Sequence, residues 1–244
     1  MNWPIVMVTL RGALGRRRTV LVALLAAVPI LIAGIIRIGG TSTDAATLTA
    51  DLLDGLVVTT VLPLVALVFG TGVLGSELDD GTAVYLLTKP IERWRIVVSK
   101  AAVAAGVTIA LVVPSALLSG LLIGGDRGGD SIAIAVTVAI IPGSLVYAVG
   151  FVALSVVTSR ALICGLLYVF IWEGLLAGLF AGTALLSVRQ YILAFAGWLA
   201  GTHGEAIKSS VDAPTAAVLA LVVLAIATVI AIRRLATWQV RTAD

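Results

Sequence analysis

Six apolar stretches, each near or above the length that crosses a bilayer, leave this chain few folds to adopt. They cover residues 19–36, 55–74, 96–123, 132–157, 161–184 and 214–232. A hydrocarbon core about 30 Å thick takes roughly 20 apolar residues of helix. In lipid each backbone N–H and C=O must be satisfied within its own segment, so runs of this kind are helices. Their interiors hold no Lys, Arg, Asp or Glu except Glu173 in the fifth, with Lys100 standing at the entrance to the third. Charged residues make up only 12% of the chain and hydrophobic ones 60%, whereas soluble domains are roughly a quarter charged. The sequence therefore predicts an all-α integral membrane protein with six transmembrane helices in one domain, 19–244, behind a basic leader, 1–18.

The leader places Trp3, Met7, Leu10 and Leu14 at helical spacing, which predicts an interfacial helix lying along the membrane. Arg16, Arg17 and Arg18 before an apolar run resemble the start of a secretory signal, but the run is too long for a signal core and no small-residue cleavage site follows. It reads as a retained first span. With both termini in the cytosol, the inner segments carry twelve Lys and Arg and the outer ones four, Arg37, Arg127, Arg189 and Lys208, accounting for all 16. That asymmetry fixes the orientation. The net charge of +3 follows from it, and no nucleic-acid footprint is present, because the cations sit at helix ends and form no separate patch.

The densest charge lies in residues 76–95, between the second and third spans. Such a segment stays in water and presents itself to something there. Asp79 and Asp80 suit the start of a short helix through residues 83–87, ended by Lys89 and Pro90; a second helix comes next, with Pro90 in its first turn and Trp94, Val97 and Val98 forming an apolar side.

Elsewhere the sequence carries little chemistry. Cys164 stands alone in a span and His203 alone in an outer segment, so neither a disulfide nor a metal site is expected and no catalytic residues are assigned. No G-x-x-x-x-G-K-[ST] phosphate loop, H-E-x-x-H or G-x-S-x-G pattern occurs. Residues 189–202 are too short to span and too apolar for a free loop, which predicts a re-entrant or surface-lying segment on the outer side with Tyr191 and Trp198 as interface anchors.

Glu173, the one charge deep within a run, is a polar contact on a translocation path, a protonation switch, or a packing group bonded to a neighbouring helix. The sequence offers it no basic partner at the same depth, which leaves a neutral carboxyl or a partner across a dimer. Gly174, Gly178 and Gly182 recur every fourth residue and make a smooth face for close helix packing, within the subunit or across a dimer. Pro29, Pro63, Pro114 and Pro142 each interrupt a span and free a carbonyl.

One order of residues carries a resemblance: acidic Glu77, then Gly81 and Thr82, the apolar turn Leu86 and Leu87, then Pro90, the basic and aromatic pair Arg93 and Trp94, and Lys100 entering the next span. In this order, and in the topology around it, the chain resembles the ABC type-2 transporter permeases, the six-span exporter half-transporters of prokaryotes, over essentially its whole length. The resemblance implies an elbow helix before the first span, a cytosolic coupling helix within 76–95, and short re-entrant helices between the last two spans. It also implies a second permease, identical or not, around a central path. A separate cytosolic ATPase would bind ATP and Mg, so the missing phosphate loop becomes an expected feature and the chain a non-catalytic subunit. Carried onto this chain, the ATPase-coupling residues are Glu77, Asp80, Gly81, Thr82, Leu86, Leu87, Pro90 and Arg93.

The sequence thus predicts a permease subunit in the plasma (inner) membrane, driving an amphipathic, drug-like or lipid-like substrate outward. An ion- or proton-coupled carrier or channel using Glu173 is the alternative, although no repeat relates the two halves of the chain. A membrane anchor that recruits a soluble partner stands third, and an intramembrane enzyme last.

Overall fold

The computed structural model describes residues 7, 9, 16–40, 44–79, 92–124, 129–176 and 181–237. Every regular element among them is helical. The long ones are α1 (Arg16–Gly39), α2 (Ala45–Leu52, continued through Leu53–Val61 and Leu62–Asp79), α3 (Arg93–Gly124) and α4 (Asp130–Val157). Two short helices come next, α5 (Ala161–Leu167 running on through Tyr168–Glu173) and α6 (Val188–Ala200), before the long α7 (Ala213–Thr237). Five of these, all but α5 and α6, are long and apolar enough to cross a membrane.

Helix α4 forms the centre and packs against α2, α3, α5, α6 and α7. Its buried face combines small and β-branched residues, Ala133, Val136, Ala139, Ile140 and Ala148, that let neighbours approach closely. Gly120 of α3 meets α4 at one such crossing: a Cβ there would lie 2.6 Å from the Cβ of Ala133. Helices α1 and α7 lie outside, with Leu21, Leu24, Leu31, Ile35 and Ile38 of one and Val218, Leu221, Ile226 and Val229 of the other exposed. Apolar surface this continuous is untenable in water and ordinary against lipid.

Several hydroxyls inside the bundle are satisfied within their own helix, as a low-dielectric interior favours. Thr71, Thr108, Thr137, Ser144 and Thr228 each donate to the carbonyl four residues back. Two side chains instead tie α1 to α3: Ser115 Oγ donates to the Ala26 carbonyl at 2.5 Å and Arg37 to that of Leu122 at 2.9 Å. Lys100, 1% exposed, reaches back from α3 to the Val73 carbonyl of α2 at 2.8 Å and ties the base of that hairpin.

Helix α2 is not uniformly α. Residues 53–61 form a π-helical stretch immediately before Pro63. A proline removes one donor and crowds the carbonyl four residues earlier, and a widened turn upstream accommodates that. Thr59 and Thr60 donate to the carbonyls of Asp54 and Gly55, five residues back, within the widened turns.

The structure departs from the sequence reading at the fifth run. Residues 161–184 do not run as one regular helix: α5 ends at Glu173, Gly174 and Leu175 turn, and among the described residues beyond them Ala181–Ala184 form a short helix. Thirteen residues of α5 extend about 20 Å, short of a 30 Å core. The second span also begins earlier than the apolar run, at Ala45, where Asp44 caps it by accepting from the Thr47 amide at 3.3 Å. Helix α3 runs unbroken from Arg93, so Trp94 and Val98 are exposed residues of its first turns and Val97 is buried.

Helix α7 is opened by Asp212, whose carboxylate accepts from both the amide and the hydroxyl of Thr215. These bonds hold the Asp212 carboxyl below the usual carboxylate range. A depressed carboxyl stabilises the fold above its unfolded pKa and loses that contribution as pH falls through the folded one. Amide exchange at Thr215, corrected for intrinsic rate, is therefore expected to quicken on acidification below the ordinary carboxylate range. Asp212→Ala should show the fast rate already at neutral pH and remove the acid response.

Candidate functional site

The sharpest polar constellation among the described residues surrounds Glu173, the last residue of α5. Its side chain is 0% exposed. Oε1 accepts from Tyr168 Oη at 2.8 Å and from the Val188 amide at 2.9 Å; Oε2 accepts from Ser187 Oγ at 2.5 Å and the Arg189 amide at 3.4 Å. Each carboxyl oxygen thus meets one hydroxyl and one backbone amide, and the amides can only donate. These two are the first backbone amides of α6, so the acid of α5 sits on the N-terminus of α6, where amide donors and the helix dipole favour negative charge.

The rest of the α6 start is accounted for. Ser187 caps it by accepting from the Gln190 amide, and the Tyr191 amide donates to the Ser187 carbonyl, both at 3.4 Å. All four first-turn amides of α6 thus find acceptors, as burial requires. Gln190 uses its side-chain oxygen to accept from the Ser210 amide at 3.0 Å, tying the outer segment to the helix, and Tyr191 Oη donates to the Leu185 carbonyl.

A second acid holds the same helix from the other side. Arg189 forms a two-pronged pair with Asp54 of α2, Nε to Oδ1 at 2.8 Å and Nη2 to Oδ2 at 2.6 Å. The matched fork geometry is the strong form of this contact. It is partly open, with side chains 20% and 28% exposed. Around the cluster, Tyr147 stacks on Phe151 with ring centres 5.9 Å apart, and Phe151 meets Tyr168 edge-on at 6.4 Å, closing the apolar side.

These contacts order α5 and α6 along α4. Tyr168 of α5 packs at Phe151, in the second half of α4, whereas Ile192 of α6 lies against Gly143 and Leu193 lines a small cavity with Val136, in the first half. The two short helices cover successive halves of α4 and meet at Glu173. Between α4, α6 and α7 lies an apolar cavity of about 300 Å³, bordered by Pro142, Val146, Tyr191, Phe195, Ala220 and Leu224.

The residues singled out in the sequence fall unevenly on this picture. Glu173 is at the centre of the network, and its partners come from its own chain: a helix N-terminus takes the place of the basic side chain that the sequence does not supply. Gly174 stands in the turn after α5, where a Cβ would first meet its own Phe170 carbonyl at 2.7 Å. Gly182 belongs to the short Ala181–Ala184 helix, and Gly178 lies outside the described residues. Of the coupling residues, Glu77 lies in the last turn of α2 and Arg93 begins α3, while Asp80, Gly81, Thr82, Leu86, Leu87 and Pro90 lie outside the described residues, as does most of the leader. At the described edge of that segment Glu92 accepts from Trp94 Nε1 at 3.1 Å and pairs with Arg95 at 2.6 Å, the guanidinium lying 5.4 Å over the Trp94 ring.

Asp54 and Ser187 are not legible in the sequence as functional residues. Asp54 stands one residue before the second apolar run and reads as loop; only the earlier start of α2 carries it into the helix. Ser187 does carry a signal, since Ser187-x-x-Gln190 is the spacing of a capping box.

Membrane-length helices around an enclosed carboxylate network define a multi-pass helical membrane protein. The profile of the ABC-2 family transporter proteins matches residues 14–183, well over half of the chain, which therefore belongs to that family. No individual curated protein was found to match it.

Proposed function

We propose that the chain is the permease subunit of an ATP-driven exporter that works with a second permease, identical or not, and separate cytosolic ATPase subunits carrying ATP and Mg. Membership of the ABC-2 transporter family carries this reading. The absence of a phosphate loop in the sequence supports it by placing hydrolysis on another chain. Residues 76–95 connect the ends of α2 and α3 that Lys100 ties together, so force applied to this connection reaches two long helices at once. The positive-inside pattern supports a cytosolic side for the connection and both termini, and this reading sets the subunit in the plasma (inner) membrane. On this reading α5 and α6, meeting end to end at Glu173, complete the crossing between α4 and α7 and bring the number to six, with α6 forming the outer half and its gate. The apolar interior suits an amphipathic, drug-like or lipid-like cargo.

Co-reconstitution of the permease with its ATPase in proteoliposomes tests the coupling. Glu77→Gln or Gly81→Ala is expected to reduce transport per ATP hydrolysed at least about tenfold, the loss of a coupling free energy of about 1.4 kcal/mol, with membrane insertion unchanged. Transport and cargo-stimulated hydrolysis equal to the parent in both variants would refute the role of this segment. Transport driven by a pH gradient with no ATPase present would favour the carrier reading.

A further inference from the structure

Two acids hold the N-terminus of α6, and they differ in kind. Glu173 is fully enclosed and engages Ser187 and the backbone amides of Val188 and Arg189. Asp54 engages only the Arg189 side chain among the described contacts of α6, and both partners of that pair are partly exposed. Beside Asp54, a cavity of about 30 Å³, the space of roughly one water, is also lined by Asp51 and Lys208. Lys208, a second partner of the right sign, therefore lines the same cavity as Asp54, and a second acid, Asp51, lines it three residues before Asp54 in the chain.

The two acids share a further property. Each comes from a π-helical stretch, Leu53–Val61 in α2 and Tyr168–Glu173 in α5, and the two stretches are in contact. A π turn holds one residue more than an α turn, so its conversion shifts the downstream helix by about 1.5 Å along the axis and about 100° around it. Such a displacement exceeds what a two-pronged contact of 2.6 and 2.8 Å tolerates. Asp54 stands at the start of the stretch in α2, and the remainder of the stretch joins it to the part of the helix that leads to residues 76–95.

We propose that α6 is held by a fixed pivot and an exchangeable latch: Glu173 keeps the helix capped, while the Arg189–Asp54 pair opens and passes to Asp51 and Lys208. Asp54 and Arg189 are then positioning residues for the outer step of transport, and the π stretch of α2 conveys movement from the cytosolic connection to them. The inference rests on the transport reading for its purpose, but the latch itself is a property of the permease alone.

The test uses the full chain in lipid nanodiscs, with Cys164→Ser and a nitroxide attached through Trp198→Cys on the exposed side of α6. With Asp54→Asn or Arg189→Gln the mobile fraction of the label is expected to rise about tenfold, the equivalent of about 1.4 kcal/mol between the two states, while α6 amides stay slow to exchange. Exchanging the charges, Asp54→Arg with Arg189→Asp, should restore the parent spectrum; if that chain does not assemble, Asp54→Glu replaces it. Glu173→Gln should instead speed exchange along α6. A rigid label in Asp54→Asn, failure of the charge exchange or Asp54→Glu to restore it, or the same loss of protection from Asp54→Asn and Glu173→Gln would each overturn the proposal. A mobile label with unaltered transport in the assembled complex would leave the latch standing and sink α6 as the gate.

Discussion

Replacing Glu173 by Ala is expected to be the most damaging single change in the described part of the chain, lowering stability by about 3–5 kcal/mol. Truncation leaves Tyr168 Oη, Ser187 Oγ and the amides of Val188 and Arg189 without their acceptor in a site closed to water, and orphaned buried donors cost far more than a net hydrogen bond contributes. Three of the four bonds, those from Ser187, Val188 and Arg189, join α5 to α6 across the segment between them, so their loss detaches α6 from the end of α5 as well as uncapping it. Glu173→Gln retains one carbonyl oxygen but turns an NH₂ toward donors, and should fall between parent and Ala. Denaturation in mixed micelles, followed by amide exchange of α6, measures both. A midpoint for Glu173→Ala equal to that of the parent would contradict the network as the anchor of α6. Ser187→Ala, which removes one donor and the cap, should cost about 1 kcal/mol and leave α6 docked.

The features legible in the sequence and those hidden from it separate along a physical line. Long apolar runs disclose helices, because in lipid no other structure satisfies the backbone; α1, α3, α4 and α7 lie where the runs lie. The fifth run misleads because hydrophobicity reports environment and not continuity. A break whose free amides are answered by an enclosed carboxylate carries the same apolar composition as an unbroken helix. Glu173 is conspicuous as a lone charge, but its partners are backbone amides, which no residue type announces. Asp54 and Arg189, 135 residues apart, become neighbours only through the packing of α2 and α6 on α4. The π stretch before Pro63 has a partial signal in the proline itself; that of α5 has none. The coupling residues belong to another category, since their role concerns a second protein, and the residues from Asp80 to Pro90 lie outside those described.

Gly120→Leu is expected to have the second-largest effect, about 3 kcal/mol or loss of the native bundle, through overpacking. A Cβ at this position would lie 2.6 Å from Ala133 Cβ, 3.2 Å from Ala133 Cα and 3.3 Å from Leu53 Cδ1. The first two are fixed parts of α4, so no rotamer change relieves the clash and α3 must separate from α4. Leu53 opens the π stretch that carries Asp54, so separation here also disturbs the base on which α6 is latched. Gly106→Leu is the control: it lies in the same helix with nothing within 4 Å of an added Cβ, and it gains the same helix propensity without the collision. Thermal unfolding in detergent should show a large fall for Gly120→Leu and none for Gly106→Leu. Adding Ala133→Gly to Gly120→Ala should recover part of the loss of Gly120→Ala alone, because it removes the atom 2.6 Å away. Equal stability of the Gly106 and Gly120 variants would show that the α3–α4 crossing is not set by this contact.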